Sequence, residues 1–325
     1  MRLRRLLFAL LPLLVLIVGA ELVARRLEPR AGPTPMMVPH PTRIWGLSPG
    51  QYRMEGVTVE MDADGMRVVP PSAALRRVLT VGDSSIFGHG LPNEGTLHLQ
   101  LARSLSTRGV EAEVLCGGVP GYSTEQTLKL MEEWGWAKAP SLVILGGMWS
   151  DAQAEQFIDR VWLAHLASPR GRLEGLVAKS AVYRSVRRRL KPELPEALPV
   201  GWVREPTPQR HPRVSPEDYA ENLERLAAEA RARDVGLAVL TPCHRQRLRG
   251  TPAPWDRYAQ AMRAFATTHS LPYVDACEVM RESGLTPDEL FLDALHPTAE
   301  ANRRYAEALS SALVQAGWPE ARLLP

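Results

Sequence analysis

The stretch VGDSSIFGHG, residues 81–90, completes a short apolar run that begins at Arg77 and then turns abruptly polar. The run predicts a buried strand, because it is rich in Val and Leu and does not alternate with polar residues. Behind it come an aspartate, two serines and three glycines. This pattern indicates either a tight loop alone or a serine, Ser84, held at the end of a strand for nucleophilic attack.

Four further apolar runs of the same character recur along the chain. They cover residues 112–116, 141–145, 235–241 and 272–276. Helical patterns separate the runs, at residues 94–108, 123–137, 215–233, 253–269 and 297–316. Strands that alternate with helices predict an α/β fold, in which a parallel sheet is covered by helices on both faces. Sites in such folds lie at the carboxyl ends of the strands, which is where Ser84 stands.

Composition indicates a packed globular protein and excludes several functional classes. Of the 325 residues, 45% are hydrophobic and 23% are charged. A net charge of +3, without zinc-finger or RNA-binding signatures, argues against a dedicated nucleic-acid binder. The three cysteines lie far apart and the eight histidines lack metal-ligand spacing, so no metal site is predicted. One disulfide can form, and Cys116 and Cys277 are otherwise interpreted as buried small apolar residues.

The N-terminus predicts a targeting segment rather than a part of the fold. A basic start, MRLRR, precedes a continuous apolar run over residues 6–20, which Glu21 interrupts. Two interpretations stay open: an uncleaved signal-anchor with Glu21 near the membrane interface, or a signal peptide cleaved after Ala20. The first places the main domain in the periplasm, anchored to the inner membrane, and the second makes the protein secreted.

The predicted domain organisation has three parts. Residues 1–27 are the signal-anchor or signal peptide, residues 28–75 a proline-rich linker and preface, and residues 76–325 the main α/β domain. Residues 166–213 break the alternation of strands and helices and are interpreted as an insertion. In it a helix is predicted over Gly175–Arg189, with a basic end that is either a solvated face or a contact with anionic headgroups.

A serine hydroxyl becomes nucleophilic only when a base takes its proton, so Ser84 requires a histidine beside it. The best candidate is His296, in the stretch FLDALHP (residues 291–297) before the last predicted helix. Asp293 lies three residues earlier, close enough to hold one imidazole nitrogen and fix its tautomer. One short loop therefore supplies both a base and the group that orients it.

The reaction also needs hydrogen-bond donors for a developing oxyanion. They are expected at the ends of two other strands, in GGVPGYS (residues 117–123) and GGMWSD (residues 146–151). A glycine in such a loop lets a backbone N–H face the site without a Cβ in the way. Asp151 is interpreted as a cap of the helix that follows it, and His89 as a loop or surface residue.

These blocks, in this order and each after a predicted strand, resemble the SGNH or GDSL-type hydrolase family. The resemblance extends over about residues 76–313 and rests on the GDS block at residues 82–84, on Gly121, and on the Asp293/His296 pair. It implies a flavodoxin-like three-layer α/β/α fold with a central parallel sheet, and a serine esterase with no cofactor and no metal. It further implies that Ser84 is the nucleophile, and that the N–H groups of Ser84 and Gly121 bind the oxyanion. The N-terminal segment resembles that of a membrane-tethered subgroup.

One departure from the family pattern bears on chemistry. The family has asparagine in its G-x-N-D block, whereas this chain has Ser150, with an extra residue after Gly147. A serine side chain is shorter than that of asparagine, but its hydroxyl can still donate one hydrogen bond. Ser150 is therefore the third expected oxyanion donor.

Taken together, the blocks and the N-terminal segment lead us to expect an extracytoplasmic serine esterase acting on O-acetylated polysaccharide or lipid esters. The alternatives are an O-acyltransferase of the same fold and a catalytically impaired binding member.

Overall fold

The computed structural model describes residues 2–27, 35–74, 76–190 and 207–325. The strands in these ranges are β1 (Met37–His40), β2 (Ile44–Leu47), β3 (Gly50–Met54), β4 (Val57–Met61), β5 (Arg77–Gly82), β6 (Glu113–Gly118), β7 (Leu142–Gly146), β8 (Ala154–Glu155), β9 (His211–Pro212), β10 (Gly236–Thr241) and β11 (Tyr273–Asp275). The α-helices are α1 (Arg2–Leu27), α2 (Ser84–Phe87), α3 (Leu97–Ser106), α4 (Thr124–Leu130), α5 (Trp149–Ala152), α6 (Asp159–Ala167), α7 (Pro169–Val177), α8 (Ala181–Leu190), α9 (Pro216–Ala232), α10 (Arg245–Leu248), α11 (Asp256–Thr268), α12 (Ala276–Glu282), α13 (Pro287–Leu290) and α14 (Ala299–Gln315). A π-helical turn, Met131–Gly135, continues α4.

The centre of the fold is a five-stranded sheet with the strand order β11-β10-β7-β5-β6. All its neighbouring strands pair in parallel. The predicted parallel sheet is thus confirmed, and each predicted strand begins and ends within two residues of the observed one. Because β6 and β7 lie on either side of β5, the loops after all three strands meet at one edge of the sheet.

Helices cover both faces of this sheet. Successive side chains of each strand point to opposite faces, so the apolar side chains of one strand are buried on both sides. Leu79 and Val81 of β5 join a buried cluster that includes residues of α9 and α11. Val78 of the same strand joins a second cluster, which includes residues of α3 and α14. The three side chains are at most 1% exposed. The predicted three-layer α/β/α architecture is therefore confirmed.

The predicted preface belongs, from Met36 onward, to the same compact unit as the sheet. It forms two antiparallel hairpins, β1–β2 and β3–β4. Val59 of β4 packs in one buried cluster with Phe87 of α2 and Val119 of the loop after β6. The preface thus lies against two of the loops that carry candidate site residues.

Arg67, at the end of the preface, fixes the loop that follows α2. Its side chain is almost fully buried. It donates from Nη1 to the carbonyl oxygens of Phe87 and Gly88, at 2.9 and 2.8 Å, and from Nη2 to that of Leu91 at 2.5 Å. A buried guanidinium needs such acceptors on several sides, and here backbone carbonyls supply them. The conformation of this loop is therefore tied to the preface.

The described parts of residues 1–35 and 164–198 form a second compact unit. In it Glu21 of α1 accepts hydrogen bonds from the Ser180 hydroxyl at 2.8 Å and from the Ala181 N–H at 2.9 Å. The carboxylate thereby satisfies a backbone donor at the start of α8. The prediction of a single helix over Gly175–Arg189 is wrong. The chain forms two helices here, because α7 ends and Ser180 and Glu21 then cap α8.

Among the helices of the described residues, none combines the length and the hydropathy that crossing a membrane requires. The proline-rich stretches predicted within residues 28–34 and 191–206 lie outside the described residues. The side chains of the basic cluster Arg187–Arg189 lie outside them as well.

Candidate active site

The ends of three neighbouring strands form the base of the candidate site. Gly82 of β5 pairs with Gly118 of β6 and with Gly146 of β7. The φ angle of Gly82 is +154°, and a Cβ on this residue would overlap the carbonyl oxygen of Gly146. Only glycine fits here, and its freedom lets the chain leave β5 and turn at once into α2.

Ser84 is the first residue of α2, and Asp83 is the N-cap. The Asp83 carboxylate accepts from the Ser85 N–H at 3.0 Å and, through its other oxygen, from the N–H groups of Met148 and Trp149 at 3.3 and 3.2 Å. Burial raises the pKa of Asp83, and these hydrogen bonds act in the opposite direction. Asp83 thus ties the turn that bears Ser84 to the loop after β7.

The structure brings Ser84, His296 and Asp293 together. The Oγ of Ser84 lies 2.8 Å from Nε2 of His296, and Nδ1 of His296 lies 2.7 Å from Oδ2 of Asp293. In a neutral imidazole one nitrogen donates and the other accepts, and a carboxylate beside Nδ1 places the proton there. Nε2 is then free to accept the Ser84 proton, so this geometry can activate a serine for nucleophilic attack.

Asp293 is held as a carboxylate by three hydrogen bonds within its own loop. Its Oδ1 accepts from the N–H groups of Leu295 and His296, both at 2.8 Å. Burial alone would raise the pKa of Asp293, but the hydrogen bond from the His296 ring, the charge of that ring and the two backbone donors together bring it well below its usual range. The group that orients His296 therefore stays ionised wherever the protein is folded near neutral pH.

Arg245 fixes the loop of residues 291–297 from outside, a contact that the sequence did not predict. Its backbone N–H donates to the carbonyl oxygen of Ala294 at 3.0 Å, and its Nε to that of Asp293 at 2.7 Å. Arg245 follows the carboxyl end of β10. No local sequence pattern connects Arg245 to residues almost fifty positions away. Its position after the carboxyl end of a strand is the one signal that could have identified it as a site residue.

Gly121, the predicted second-block glycine, has a φ of +78°, in the left-handed region that favours glycine. Its carbonyl oxygen accepts from Nη1 of Arg213 at 2.6 Å. Arg213 is itself buried against the carboxylate of Asp159, at 2.6 Å. This pair, which the sequence did not predict, fixes the backbone at Gly121. The role of the Gly121 N–H as an oxyanion donor stays a prediction.

Ser150 lies in α5 and is buried. Its neighbour Trp149 donates from the indole Nε1 to the Ser85 hydroxyl at 3.1 Å. Asp151 accepts from the N–H and the hydroxyl of Thr124, at 2.8 and 2.6 Å. The interpretation of Asp151 as a cap of the helix after it is wrong, because the carboxylate binds the first residue of α4. The role of the Ser150 hydroxyl as an oxyanion donor stays a prediction, which substitution of Ser150 would test.

We expect Ser150→Asn to raise kcat for p-nitrophenyl acetate or to leave it unchanged, because the asparagine amide reaches further than the serine hydroxyl. Ser150→Ala should lower kcat by about 10²-fold, the effect of removing one oxyanion donor. KM for such a small ester should change little in both variants. A Ser150→Ala variant with the kcat of the original chain would show that the hydroxyl takes no part.

His89 is a loop residue, as predicted, but it also contacts the candidate site. It lies in the loop after α2, and its ring stacks on that of His296, with the ring centroids 4.3 Å apart and the planes 20° from parallel. The backbone N–H of His89 donates to the carbonyl oxygen of Ser84 at 3.1 Å. His89 is therefore part of the surroundings of the Ser84–His296 pair.

Cys243 and Cys277 form a disulfide, with their Cα atoms 4.8 Å apart. Cys277 is buried as expected, but the interpretation of it as merely a small apolar residue is wrong because it is bonded to Cys243. Cys116 is free and buried as expected. The bridge connects the loop after β10 to the start of α12. Its first cysteine stands two residues before Arg245, so the bridge also fixes the chain from which Arg245 reaches the 291–297 loop.

The bridge leads to a prediction on stability. Denatured but unreduced protein should titrate as one free thiol per chain, from Cys116. Loss of the bridge in Cys277→Ser should lower the free energy of unfolding by about 2–4 kcal/mol, because the denatured chain regains the freedom that the cross-link removes. Chemical denaturation with and without reductant measures the difference. Three thiols in the unreduced chain would contradict the pairing.

Within the described part of the chain, no three His, Cys, Asp or Glu side chains are grouped as metal ligands would be. A serine hydroxyl bonded to an imidazole, which is itself bonded to a carboxylate, is an arrangement that can carry out acyl transfer.

A family model, described as the GDSL-like lipase/acylhydrolase family, matches residues 80–304. No curated protein matches the chain significantly. The solved structures that resemble it include the lipase/acylhydrolase from Enterococcus faecalis, with 16% identity, a TM-score of 0.49 and coverage of 74% of this chain and 97% of that one. They also include LAE5, an α/β hydrolase from the metagenome of Lake Arreo (20% identity, TM-score 0.49, coverage 74% and 96%). A third is Axe2, an acetylxylan esterase from Geobacillus stearothermophilus (16% identity, TM-score 0.48, coverage 74% and 94%).

Proposed function

The chain belongs to the GDSL-like lipase/acylhydrolase family and is a serine esterase of the SGNH type, and we propose that Ser84, His296 and Asp293 are its catalytic triad. One observation carries this assignment. A continuous series of hydrogen bonds, of 2.7 and 2.8 Å, runs from the Asp293 carboxylate through the His296 ring to the Ser84 hydroxyl. Ser84 begins α2 directly after β5, and Asp293 and His296 stand in the loop before α14; the carboxyl ends of strands are where α/β folds place their sites.

In the proposed reaction, the Ser84 oxygen attacks the carbonyl carbon of an ester while Nε2 of His296 takes the serine proton. The C=O electrons move to the oxygen, and the intermediate collapses with loss of the alcohol, which receives the proton from His296. Water then attacks the acyl-serine, gives its proton to His296, and the acid leaves as the proton returns to Ser84. The ionised Asp293 stabilises the imidazolium in both halves of the reaction.

The oxyanion is proposed to be bound by the backbone N–H groups of Ser84 and Gly121 and by the hydroxyl of Ser150. Support for the first comes from its place at the start of α2, where backbone N–H groups lack intrahelical acceptors. The Arg213–Asp159 pair supports the second, because it fixes the backbone at Gly121 without using its N–H. Donors held before the reaction starts lower the barrier most, since they need no rearrangement.

We propose that the substrates are acyl esters outside the cytoplasm, either O-acetyl groups of envelope polysaccharide or lipid esters. Two features support this location. The basic start and the apolar run over residues 6–20 have the composition of an export segment. The Cys243–Cys277 disulfide favours an oxidising compartment, because such bonds are rare in the cytosol.

We also propose that the N-terminal segment is retained and tethers the protein to the inner membrane. The helix α1 continues without a break through Ala20, the predicted cleavage position, to Leu27. Glu21, which would become the first residue of a cleaved chain, binds the start of α8. The intact mass of protein purified from membranes tests this proposal, and a mature chain that begins at Glu21 would contradict it.

The experiment for the proposed function uses the full chain in detergent with p-nitrophenyl esters of increasing acyl length, and with O-acetylated polysaccharide as a source of free acetate. Turnover confined to acetyl esters would identify the polysaccharide class, whereas a rate that rises with chain length would identify lipid esters. Covalent labelling by a fluorophosphonate probe without turnover of any ester would contradict hydrolysis and favour transfer to a second alcohol. Absence of both signals in folded protein would contradict the triad.

A further inference from the structure

The loop after α2 places a second histidine ring directly on the proposed base. His89 and His296 stack with centroids 4.3 Å apart and planes 20° from parallel. This loop is anchored on both sides of its turn: the His89 N–H donates to the Ser84 carbonyl oxygen, and Arg67 binds the carbonyls of Phe87 and Gly88. The position of the His89 ring is therefore set by the scaffold that also sets the position of Ser84.

We infer that His89 is a positioning residue, whose ring holds the plane of the His296 imidazole in the orientation that reaches Ser84. The inference rests on the proposed triad and adds a fourth side chain to it. His89 acts through His296 and does not touch the reacting atoms.

The hydrogen bonds of the triad do not fully fix the plane of the His296 ring, and the stack with His89 supplies the missing restraint. The ring of His296 makes two hydrogen bonds, one at Nδ1 and one at Nε2. The two nitrogens are separated by a single ring carbon, and hydrogen bonds at both still let the ring tilt about the line that joins them. Such a rotation turns the Nε2 lone pair away from the Ser84 proton. A flat ring packed parallel at 4.3 Å opposes that rotation, because tilting either ring creates a clash.

The surroundings of His89 favour its uncharged form. Burial, and after it the charge of His296, lower the pKa of His89 to about 4, while the Asp293 carboxylate acts in the opposite direction. Glu55, in the turn between β3 and β4, is the other charged group that faces the ring, with its Oε1 3.9 Å from Nε2. Nε2 is buried and has no hydrogen-bond partner among the described residues. A proton added at Nε2 would have only the Glu55 carboxylate near it, beyond hydrogen-bond distance, so the buried site favours the neutral ring.

An uncharged aromatic neighbour suits both states that His296 adopts during the reaction. When His296 is neutral, the stack is an ordinary aromatic pair. When His296 becomes an imidazolium, the face of the neutral ring interacts favourably with the positive charge. A protonated His89 would instead place a like charge beside the imidazolium and disfavour it. The same contact therefore both orients the base and tolerates its protonation.

The test compares three replacements of His89 in the full chain, with kcat and KM for p-nitrophenyl acetate as the readout. His89→Phe keeps a flat ring and should stay within about threefold of the original kcat. His89→Leu keeps the volume without a ring and should lower kcat by about tenfold, the range measured for aromatic pairs. His89→Ala removes the support and should lower kcat by about 10²-fold, with KM within about twofold in all three.

Thermal unfolding of each variant separates this role from a structural one. Recovery of kcat by phenylalanine but not by leucine, at matched stability, is the expected result. The inference is overturned if leucine is as active as phenylalanine, if phenylalanine fails like alanine, or if kcat falls only in step with the folded fraction. Failure of the proposed function gives a different result, because the unsubstituted chain itself would then show no turnover and no fluorophosphonate labelling.

Discussion

Replacement of Ser84 by alanine is expected to lower kcat for p-nitrophenyl acetate by about 10⁴-fold or more, with KM little changed. The reason is that, among the described contacts, the Ser84 hydroxyl is the group bonded to Nε2 of His296, and it is the proposed site of the acyl-enzyme. Without it, the base and the oxyanion donors can promote only the slow direct attack of water. Initial rates at saturating ester, measured on the full chain in detergent, give the ratio.

The neighbouring serine supplies a matched control for this variant. Ser85 accepts a hydrogen bond from Trp149 and is not bonded to His296 by any described contact. Ser85→Ala should therefore reduce kcat by less than about tenfold, although it costs about 1 kcal/mol of stability through the lost hydrogen bond. Substantial turnover in folded Ser84→Ala protein would show that the ester is cleaved elsewhere or by another route.

Asp293→Asn is expected to have the second-largest effect, a fall in kcat of about 10⁴-fold. Asp293 Oδ1 accepts two backbone N–H groups, so an asparagine would keep its carbonyl oxygen there. Its NH₂ would then face Nδ1 of His296 and donate to it. The imidazole would carry its proton on Nε2 instead, where it cannot accept a proton from Ser84. The variant should fold normally and yet remain inactive at every pH tested.

The pH dependence of the original chain follows from the same carboxylate. Its folded pKa lies well below the value of about 3.9 in an unfolded chain. A depressed folded pKa means that the contribution of Asp293 to stability is fully present above about pH 3.9 and is lost as the pH falls through the folded value. Stability in mildly acidic solution should therefore still include the full Asp293 contribution, which acid unfolding followed by circular dichroism measures.

The matched control for Asp293→Asn is Asp64→Asn. Asp64 is a half-exposed carboxylate that pairs with Lys138 and lies outside the described triad contacts. Removal of an exposed ion pair changes stability by at most about 1 kcal/mol and should leave kcat as it was. An Asp293→Asn variant that keeps a tenth or more of the original kcat would contradict the tautomer argument.

The fold could be predicted because its signals are local. Each strand of the central sheet is a short apolar run between helical patterns, and burial on both faces makes such runs non-alternating. The break between α7 and α8 could not be predicted in the same way. Ser180 begins a new helix there because Glu21, far away in the chain, accepts the N–H of Ala181. A cap that is supplied by a distant residue leaves no pattern in the local sequence.

In the candidate site, too, the residues with a local sequence signal could be predicted and the others could not. Asp293 and His296 could be predicted as a pair because they are three residues apart in one loop, and Ser84 because it follows a recognisable strand. The groups that fix them could not. Arg245 and His89 reach His296 or its loop only through the folding of the sheet, and their own neighbours in the sequence give no sign of it.

The assignment of Ser84 as the nucleophile is tested most directly by covalent labelling. The full chain is treated with a fluorophosphonate, the adducts are counted by intact mass, and the modified residue is identified by peptide mass spectrometry. One adduct per chain, on Ser84 and absent from Ser84→Ala, is the predicted result. An adduct on another residue, or no adduct on folded protein that still hydrolyses the ester, would contradict it.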